Sequence, residues 1–209
     1  MTDFKINSLF PSTVMETQYD GWKEEDTALA VKLLDNPKPG LYNWNSKDYN
    51  ILNNHFSDLR KFIENAIHVY AEHTIVGDKF DKSEYDFRIT QSWLSLCKGS
   101  AKGHHRHAHS NSIISGIFYI QVNEGVDVIK FDNGKTPDTI FIAPKKWNIF
   151  NGDAWTKEVC NGQLLLFRSS MGHFVPPLQS TRDRISLSFN CFPYGSIGDD
   201  SALCGLTVN

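Results

Sequence analysis

Eight histidines occur in the chain, and four of them fall within six residues, Gly103-His104-His105-Arg106-His107-Ala108-His109. Imidazole binds Fe, Zn, Cu and Ni alike, so the residue type points to a transition metal without choosing one. Two histidines two residues apart on an extended segment point to the same side. His107 and His109, or His105 and His107, can therefore face one ion. The alternative is a solvated histidine-rich loop.

A second segment adds a ligand from far along the chain. Gly162-Gln-Leu-Leu-Leu-Phe167-Arg-Ser-Ser-Met-Gly172-His173-Phe-Val-Pro-Pro177 is an apolar strand that runs into a turn and delivers His173. The next polar-apolar alternation is Arg184-Ile-Ser186-Leu-Ser188-Phe189-Asn190. Arg184, Ser186 and Ser188 share one face of it, and Ile185, Leu187 and Phe189 the other. An Arg with a Ser two residues on can hold a carboxylate, the Arg bidentately and the Ser through its hydroxyl. An ordinary half-exposed strand shows the same alternation.

Taken in order, three motifs carry a resemblance. His107-x-His109-x-Asn111-Ser-x-x-Ser115-Gly116-x-x-Tyr119, the Gly162–Pro177 segment with His173, and Arg184-x-Ser186-x-Ser-Phe-Asn190 resemble a bacterial and phage branch of the 2-oxoglutarate and Fe(II)-dependent oxygenases. The likeness spans roughly residues 88–192, and the N-terminal Leu9-Phe10-Pro11 also looks like it. The resemblance implies a double-stranded β-helix, a jelly roll whose open end holds iron, with Fe(II) and 2-oxoglutarate as cofactors. It implies that His107 is the first iron ligand and His173 the distal one. Arg184 would pair with the far carboxylate of 2-oxoglutarate, Ser186 beside it, and Tyr119 would donate a hydrogen bond into the same cavity.

His109 departs from the wider pattern, which places Asp or Glu there; non-heme Fe(II) sites of this kind use two histidines and one carboxylate. No acidic residue follows before Glu124. Three readings stay open: a three-histidine centre, a carboxylate arriving from elsewhere, or loss of iron. Asp127 reads as a strand-surface residue, and Asp132 as part of the turn Asp132-Asn-Gly134. His104 and His105 rank below His107 and His109 as ligands, because only the latter pair fits the spacing to Asn111, Ser115 and Gly116. His55, His68 and His73 read as surface or packing residues.

The elements that must position these residues change character near residue 85. Before it the period is helical: Trp22–Leu34, closed by Asn36-Pro37-Lys38-Pro39-Gly40, and a stripe from Tyr49 to Tyr70 inside Ser46–His73. After it the period is two. Phe87–Leu96, Ile113–Val122, Val126–Phe131, Thr139–Ile142, Gln163–Phe167 and Arg184–Phe192 read as strands, divided by Gly, Asn, Asp and Pro. The expected architecture is mainly β with N-terminal helices, an antiparallel jelly roll in one domain. Residues 1–84 form the helical front half, 85–192 the jelly-roll core and 193–209 a C-terminal tail. Trp147, Phe150 and Trp155, in the stretch 145–157, are expected to pack over the helical half, with lining of a substrate mouth as the alternative.

Composition narrows the function classes. The 209 residues suit one large domain or two small ones. Lys+Arg 21 against Asp+Glu 24 gives −3, so no basic excess awaits a nucleic-acid backbone. The longest apolar runs, such as Leu164–Phe167, are too short to cross a bilayer. The start, Met-Thr-Asp-Phe-Lys-Ile-Asn, lacks a signal peptide's apolar core and cleavage site, so a cytoplasmic protein is expected. Cys97, Cys160, Cys191 and Cys204 form no Cys-x-x-Cys pair, which argues for reduced thiols rather than a disulfide framework or a zinc ribbon. The leading expectation is a hydroxylase-type Fe(II)/2-oxoglutarate oxygenase acting on a small molecule or a protein. The alternatives are a cupin-like metal-binding jelly roll without oxygenase activity, a zinc hydrolase, and a purely structural protein. Substrate and oligomeric state are not readable.

Overall fold

The computed structural model describes residues 5–40, 43–99, 103–134, 140, 142–177 and 182–209. Twelve strands are described: β1 (Val14–Gln18), β2 (Lys38–Pro39), β3 (Trp44–Asn45), β4 (Tyr85–Cys97), β5 (His104–His107), β6 (Ile114–Gln121), β7 (Val128–Asp132), β8 (Ala154–Glu158), β9 (Gln163–Arg168), β10 (His173–Val175), β11 (Arg184–Ile197) and β12 (Leu206–Val208). Three helices precede the long strands: α1 (Glu24–Leu33), α2 (Ile51–His55) and α3 (Ser57–Ala71).

The strands form two sheets. The larger runs β1-β9-β6-β11-β4-β3-β2, with β12 added to the far end of β11, and the smaller runs β5-β10-β7-β8. β1-β9, β9-β6, β6-β11, β11-β4, β5-β10 and β10-β7 join strands distant in sequence, whereas β2-β3, β3-β4, β7-β8 and β11-β12 join consecutive ones, and every ladder is antiparallel. This is an antiparallel jelly roll, as the two-residue periodicity led one to expect, and of the double-stranded β-helix type that the resemblance implied.

Strand alternation divides the large sheet into two chemically distinct faces. On β11 the residues Ile185, Leu187, Phe189 and Cys191 join Ile114, Phe118, Ile120, Leu164, Leu166 and Leu94 in one buried core. That core is closed by Leu52 of α2 and by Leu59, Ile63, Ile67 and Tyr70 of α3, whose three- and four-residue spacing turns one apolar stripe onto the sheet. Gly116 sits at the tightest point, where a Cβ would collide with the Phe189 ring and Leu166. The opposite face looks toward the small sheet. There β9 and β6 contribute Leu165, Phe167 and Tyr119 to a second core with Ile129 and Phe131. β11 and β4 instead present Arg184, Ser186, Ser188, Ser95 and Trp93 in register. The polar half of this inner face is the wall of the candidate site.

Several boundaries differ from the sequence expectation. The helix expected over Ser46–His73, with an interruption allowed, begins only at Ile51 and is interrupted at Phe56, which leaves helical geometry (φ −130°, ψ 64°) and packs its ring against Trp22 at 5.1 Å. The front half is not wholly helical, since β1 extends the large sheet along β9. Strand Arg184–Phe192 continues to Ile197, where β12 pairs with it, so 193–209 does not trail as a tail. The expected strand Thr139–Ile142 falls partly outside the described residues, and Ile140 and Ile142 lie in no strand. Trp155 does not pack over the helices: it sits on β8 and stacks on Phe131 at 6.1 Å, while Trp147 and Phe150 are more than half exposed. All four cysteines are free thiols. No described helix is long and apolar enough to cross a membrane.

Candidate metal centre

Strand pairing brings the distant histidines together. β10 pairs with β5 so that His173 lies opposite His107, and their rings approach to 4.3 Å. His109 follows two residues after the end of β5. Its backbone N–H donates to the Ser169 carbonyl at 2.9 Å, which ties it to the turn that precedes His173. Asn111, at φ 53°, then reverses the chain into β6; a short polar side chain tolerates that left-handed conformation.

The nitrogens of His107, His109 and His173 lie within 4.8 Å of one another. His109 Nε2 and His173 Nε2 are 3.4 Å apart. Two nitrogens bound to one ion at about 2.1 Å lie roughly 3.0–3.4 Å apart, from octahedral to tetrahedral angles. The His107 Nδ1 is 2.9 Å from the His105 carbonyl and the His173 Nδ1 is 3.0 Å from that of Met171. A carbonyl only accepts, so each Nδ1 carries the proton and each Nε2 offers its lone pair. Burial pulls His173 down to about 3 and His109 to about 4, and lowers His107 as well. The three rings are neutral at pH 7, the form that binds metal.

His104 and His105 form a second group with His107, again with nitrogens within 4.8 Å. His104 stands 4.4 Å from the His107 ring and burial lowers it to about 4, while His105 is exposed. The remaining histidines have structural partners: His55 with Asp48, His68 with Asp86 and His73 with the Val69 carbonyl.

Arg184, Ser186 and Tyr119 converge one layer deeper. Ser186 lies between Ser95 of β4 and Tyr119 of β6. Tyr119 is 1% exposed, and burial raises its hydroxyl above the usual tyrosine range. Arg184 is 7% exposed, yet its Nε and Nη1 have no hydrogen-bond partner among the described residues. A buried guanidinium left this way is costly unless an anion completes it. The donor set therefore fits a carboxylate ligand, and the neutral histidine nitrogens beyond it fit a divalent transition metal.

Asp127 corrects one expectation. It is not a strand-surface residue but 1% exposed. Its Oδ2 accepts the backbone and side-chain N–H groups of Asn123, closing the turn between β6 and β7, and Oδ1 is unpartnered. The signal was the Asn123–Asp127 spacing across Glu124-Gly125, which a turn reading accounts for. Asp132 pairs with Arg106 at 2.7 Å, so neither carboxylate belongs to the histidine triad. Beside the triad opens a cleft of about 310 Å³, lined by Asn43, Asn45, Tyr49, Gln91, Trp93 and His104, with His107 and His109 in its wall.

Residues 91–190 match the family described as "Putative 2OG-Fe(II) oxygenase". No curated protein matches the chain in sequence. Among solved structures, the non-heme alpha ketoglutarate dependent epimerase SnoN from nogalamycin biosynthesis superposes with a TM-score of 0.58 at 11% identity, covering 87% of this chain and 78% of its own. A 2OG-Fe(II) oxygenase family oxidoreductase from Burkholderia pseudomallei gives 0.54 at 9%, covering 85% and 83%. HygX from Streptomyces hygroscopicus, solved with nickel, 2-oxoglutarate and hygromycin B bound, gives 0.54 at 8%, covering 86% and 82%. At these identities the likeness concerns the fold.

Proposed function

We propose that this chain is a 2OG-Fe(II) oxygenase that holds Fe(II) on His107, His109 and His173, anchors 2-oxoglutarate on Arg184, and hydroxylates a substrate that approaches through the cleft beside His109. The observation that carries this reading is the buried Arg184 guanidinium, whose Nε and Nη1 find no partner among the described residues, on the large-sheet face that looks toward the small sheet carrying His107 and His173. A zinc hydrolase would leave that guanidinium without a task.

When bound, Fe(II) and 2-oxoglutarate supply the activation of O2 and the two electrons released by decarboxylation. The chain's own residues do the rest. His107, His109 and His173 would hold the ion through three converging nitrogens. Arg184 takes the far carboxylate bidentately, with Ser186 and Tyr119 beside it, and so orients the keto-acid end toward the histidines. Leu165, Phe167, Ile129 and Phe131 pack as the apolar half of the space between the sheets and would keep water from the ion. Three neutral imidazoles leave the ion one charge unit more positive than a two-histidine, one-carboxylate set would. That favours an anionic cosubstrate.

The substrate class proposed is an uncharged or weakly charged small molecule or peptide, because the described residues of the cleft lining are amides, aromatics and imidazoles, with no carboxylate, lysine or arginine among them. The deciding experiment is an anaerobic titration of metal-free protein with Fe(II) and then 2-oxoglutarate. A visible charge-transfer band that appears only with both supports the proposal; metal binding without that band, and without 2-oxoglutarate-dependent oxygen consumption, overturns it.

A further inference from the structure

Beneath the histidine triad lies a buried chain of side-chain hydrogen bonds. Ser115 Oγ is 2.9 Å from the side-chain amide atom of Asn190 placed as Oδ1, and 2.8 Å from Ser169 Oγ. Ser169 Oγ is 2.7 Å from Ser112 Oγ, which is 3.0 Å from the carbonyls of Ile114 and Cys191. Ser115 is 1% exposed and Ser169 is fully buried, so these hydroxyl protons are spent within the chain.

Counting those protons gives the chain a direction. Four links must be made: Asn190 to Ser115, Ser115 to Ser169, Ser169 to Ser112, and Ser112 to a carbonyl. Three hydroxyls carry three protons. If the asparagine oxygen faced Ser115, all four links would draw on those three protons, and one pair of oxygens would meet lone pair to lone pair. With the amide nitrogen facing Ser115, Asn190 supplies the fourth proton and every link is filled in one direction. Amide oxygen and nitrogen have the same shape, so the proton count is what assigns them. A chain running one way is cooperative.

The same residues tie together the segments that carry the triad. The Ser169 carbonyl accepts the His109 N–H at 2.9 Å, and the Ser169 N–H donates to the Ile113 carbonyl at 3.0 Å. Ile113 in turn donates to the Cys191 carbonyl at 2.9 Å. His173 follows Ser169 by four residues, and Asn190 stands on the Arg184 strand. Ser169 is thus held by its N–H, its carbonyl and its hydroxyl together. We infer that Asn190 is a positioning residue for the metal centre: its amide nitrogen starts a one-way chain through Ser115, Ser169 and Ser112 that sets the separation of the His109 and His173 nitrogens. The inference rests on the metal-centre reading above.

The test uses the full chain at pH 8 with Co(II) as probe, read by equilibrium titration and by the visible ligand-field spectrum at saturation. Asn190→Asp keeps the shape but, ionised, can only accept; Ser115→Ala cuts the chain in the middle. Both should bind Co(II) about 10–100-fold more weakly, the range found when a partner behind a metal ligand is lost. Their saturated spectra should be shifted from wild type while the circular dichroism of the metal-free forms stays that of the folded protein. Asn190→Asp with wild-type affinity and spectrum would mean that the amide oxygen faces Ser115 and would overturn the direction. Ser115→Ala with wild-type affinity and spectrum would overturn the positioning role. If either variant does not fold, Ser112→Ala, at the chain's end, decides by the same two readouts. Wild-type protein that binds no Co(II), or binds it equally after His173→Ala, would instead sink the metal-centre reading and this inference with it.

Discussion

Arg184 is buried with two guanidinium nitrogens unpaired, a cost that folding carries and that a bound carboxylate would offset. Arg184→Ala should therefore weaken 2-oxoglutarate binding by about 2–5 kcal/mol, the range for truncating one side of a buried charge pair, and leave metal content near that of the wild type. Calorimetric titration of the metal-loaded variant checks this, and an unchanged affinity removes Arg184 from the site. The histidines make a separate prediction. His107→Ala and His173→Ala should each abolish Fe(II) binding, measured by elemental analysis after dialysis. His109→Asp should retain iron, because it installs the commoner carboxylate ligand. Iron retained at wild-type level in His173→Ala would refute the assignment of the triad.

At the scale of elements, the site depends on how closely β6, β9 and β11 approach. Gly116 makes that approach possible, since a side chain there meets the Phe189 ring and Leu166 on the helix-facing side. Gly116→Ala should destabilise the fold by about 1–3 kcal/mol through overpacking, seen as a lower denaturant midpoint with an unchanged slope. Ser115, one residue earlier and on the other face, would be pushed with it, so metal affinity should fall as well. A variant as stable as wild type would mean that the Phe189 ring repacks freely. β5 and β10 are a different case. They are only four and three residues long; β10 carries the strand-favouring Phe174 and Val175, whereas His104-His-Arg-His107 is a strand because it finds a partner, not because its residues favour extended structure.

For the whole molecule, metal-free stability should depend on pH through the buried imidazoles. His173 is held down to about 3, and His109 and His104 to about 4, all by burial. The unfolded chain takes up protons near the ordinary histidine value of 6.5, while the folded one does not. Stability should therefore fall as pH drops below about 6.5, and go on falling toward pH 4. Thermal midpoints of the metal-free protein between pH 7.5 and 4.5 check the sign. Replacing His109 and His173 together by Leu should flatten that dependence; an equally steep fall in the double variant would assign it to carboxylates. Saturating metal should raise the midpoint at pH 7.5 and lose its effect on acidification, because protons and metal compete for the same nitrogens.

Sequence alone determined the local matters. The switch from helical to two-residue periodicity near residue 85 marked the sheets, because side-chain direction along a strand or helix follows from backbone geometry. The i, i+2 pair His107 and His109, and the polar face Arg184-x-Ser186, were legible for the same reason. What the sequence could not decide is which distant segments meet. His173 faces His107 only because β10 pairs with β5 in one register, and a one-residue slip would turn it away. Asp127 read as a surface residue: the Asn123–Asp127 spacing marks the turn, but only the packing of β6 and β7 shows that its carboxylate is buried. Ser112, Ser115, Ser169 and Asn190 are four ordinary polar residues in sequence. They became one chain because strands β6, β9 and β11 lie side by side, and that contact is set by burial across the whole core rather than by any local preference.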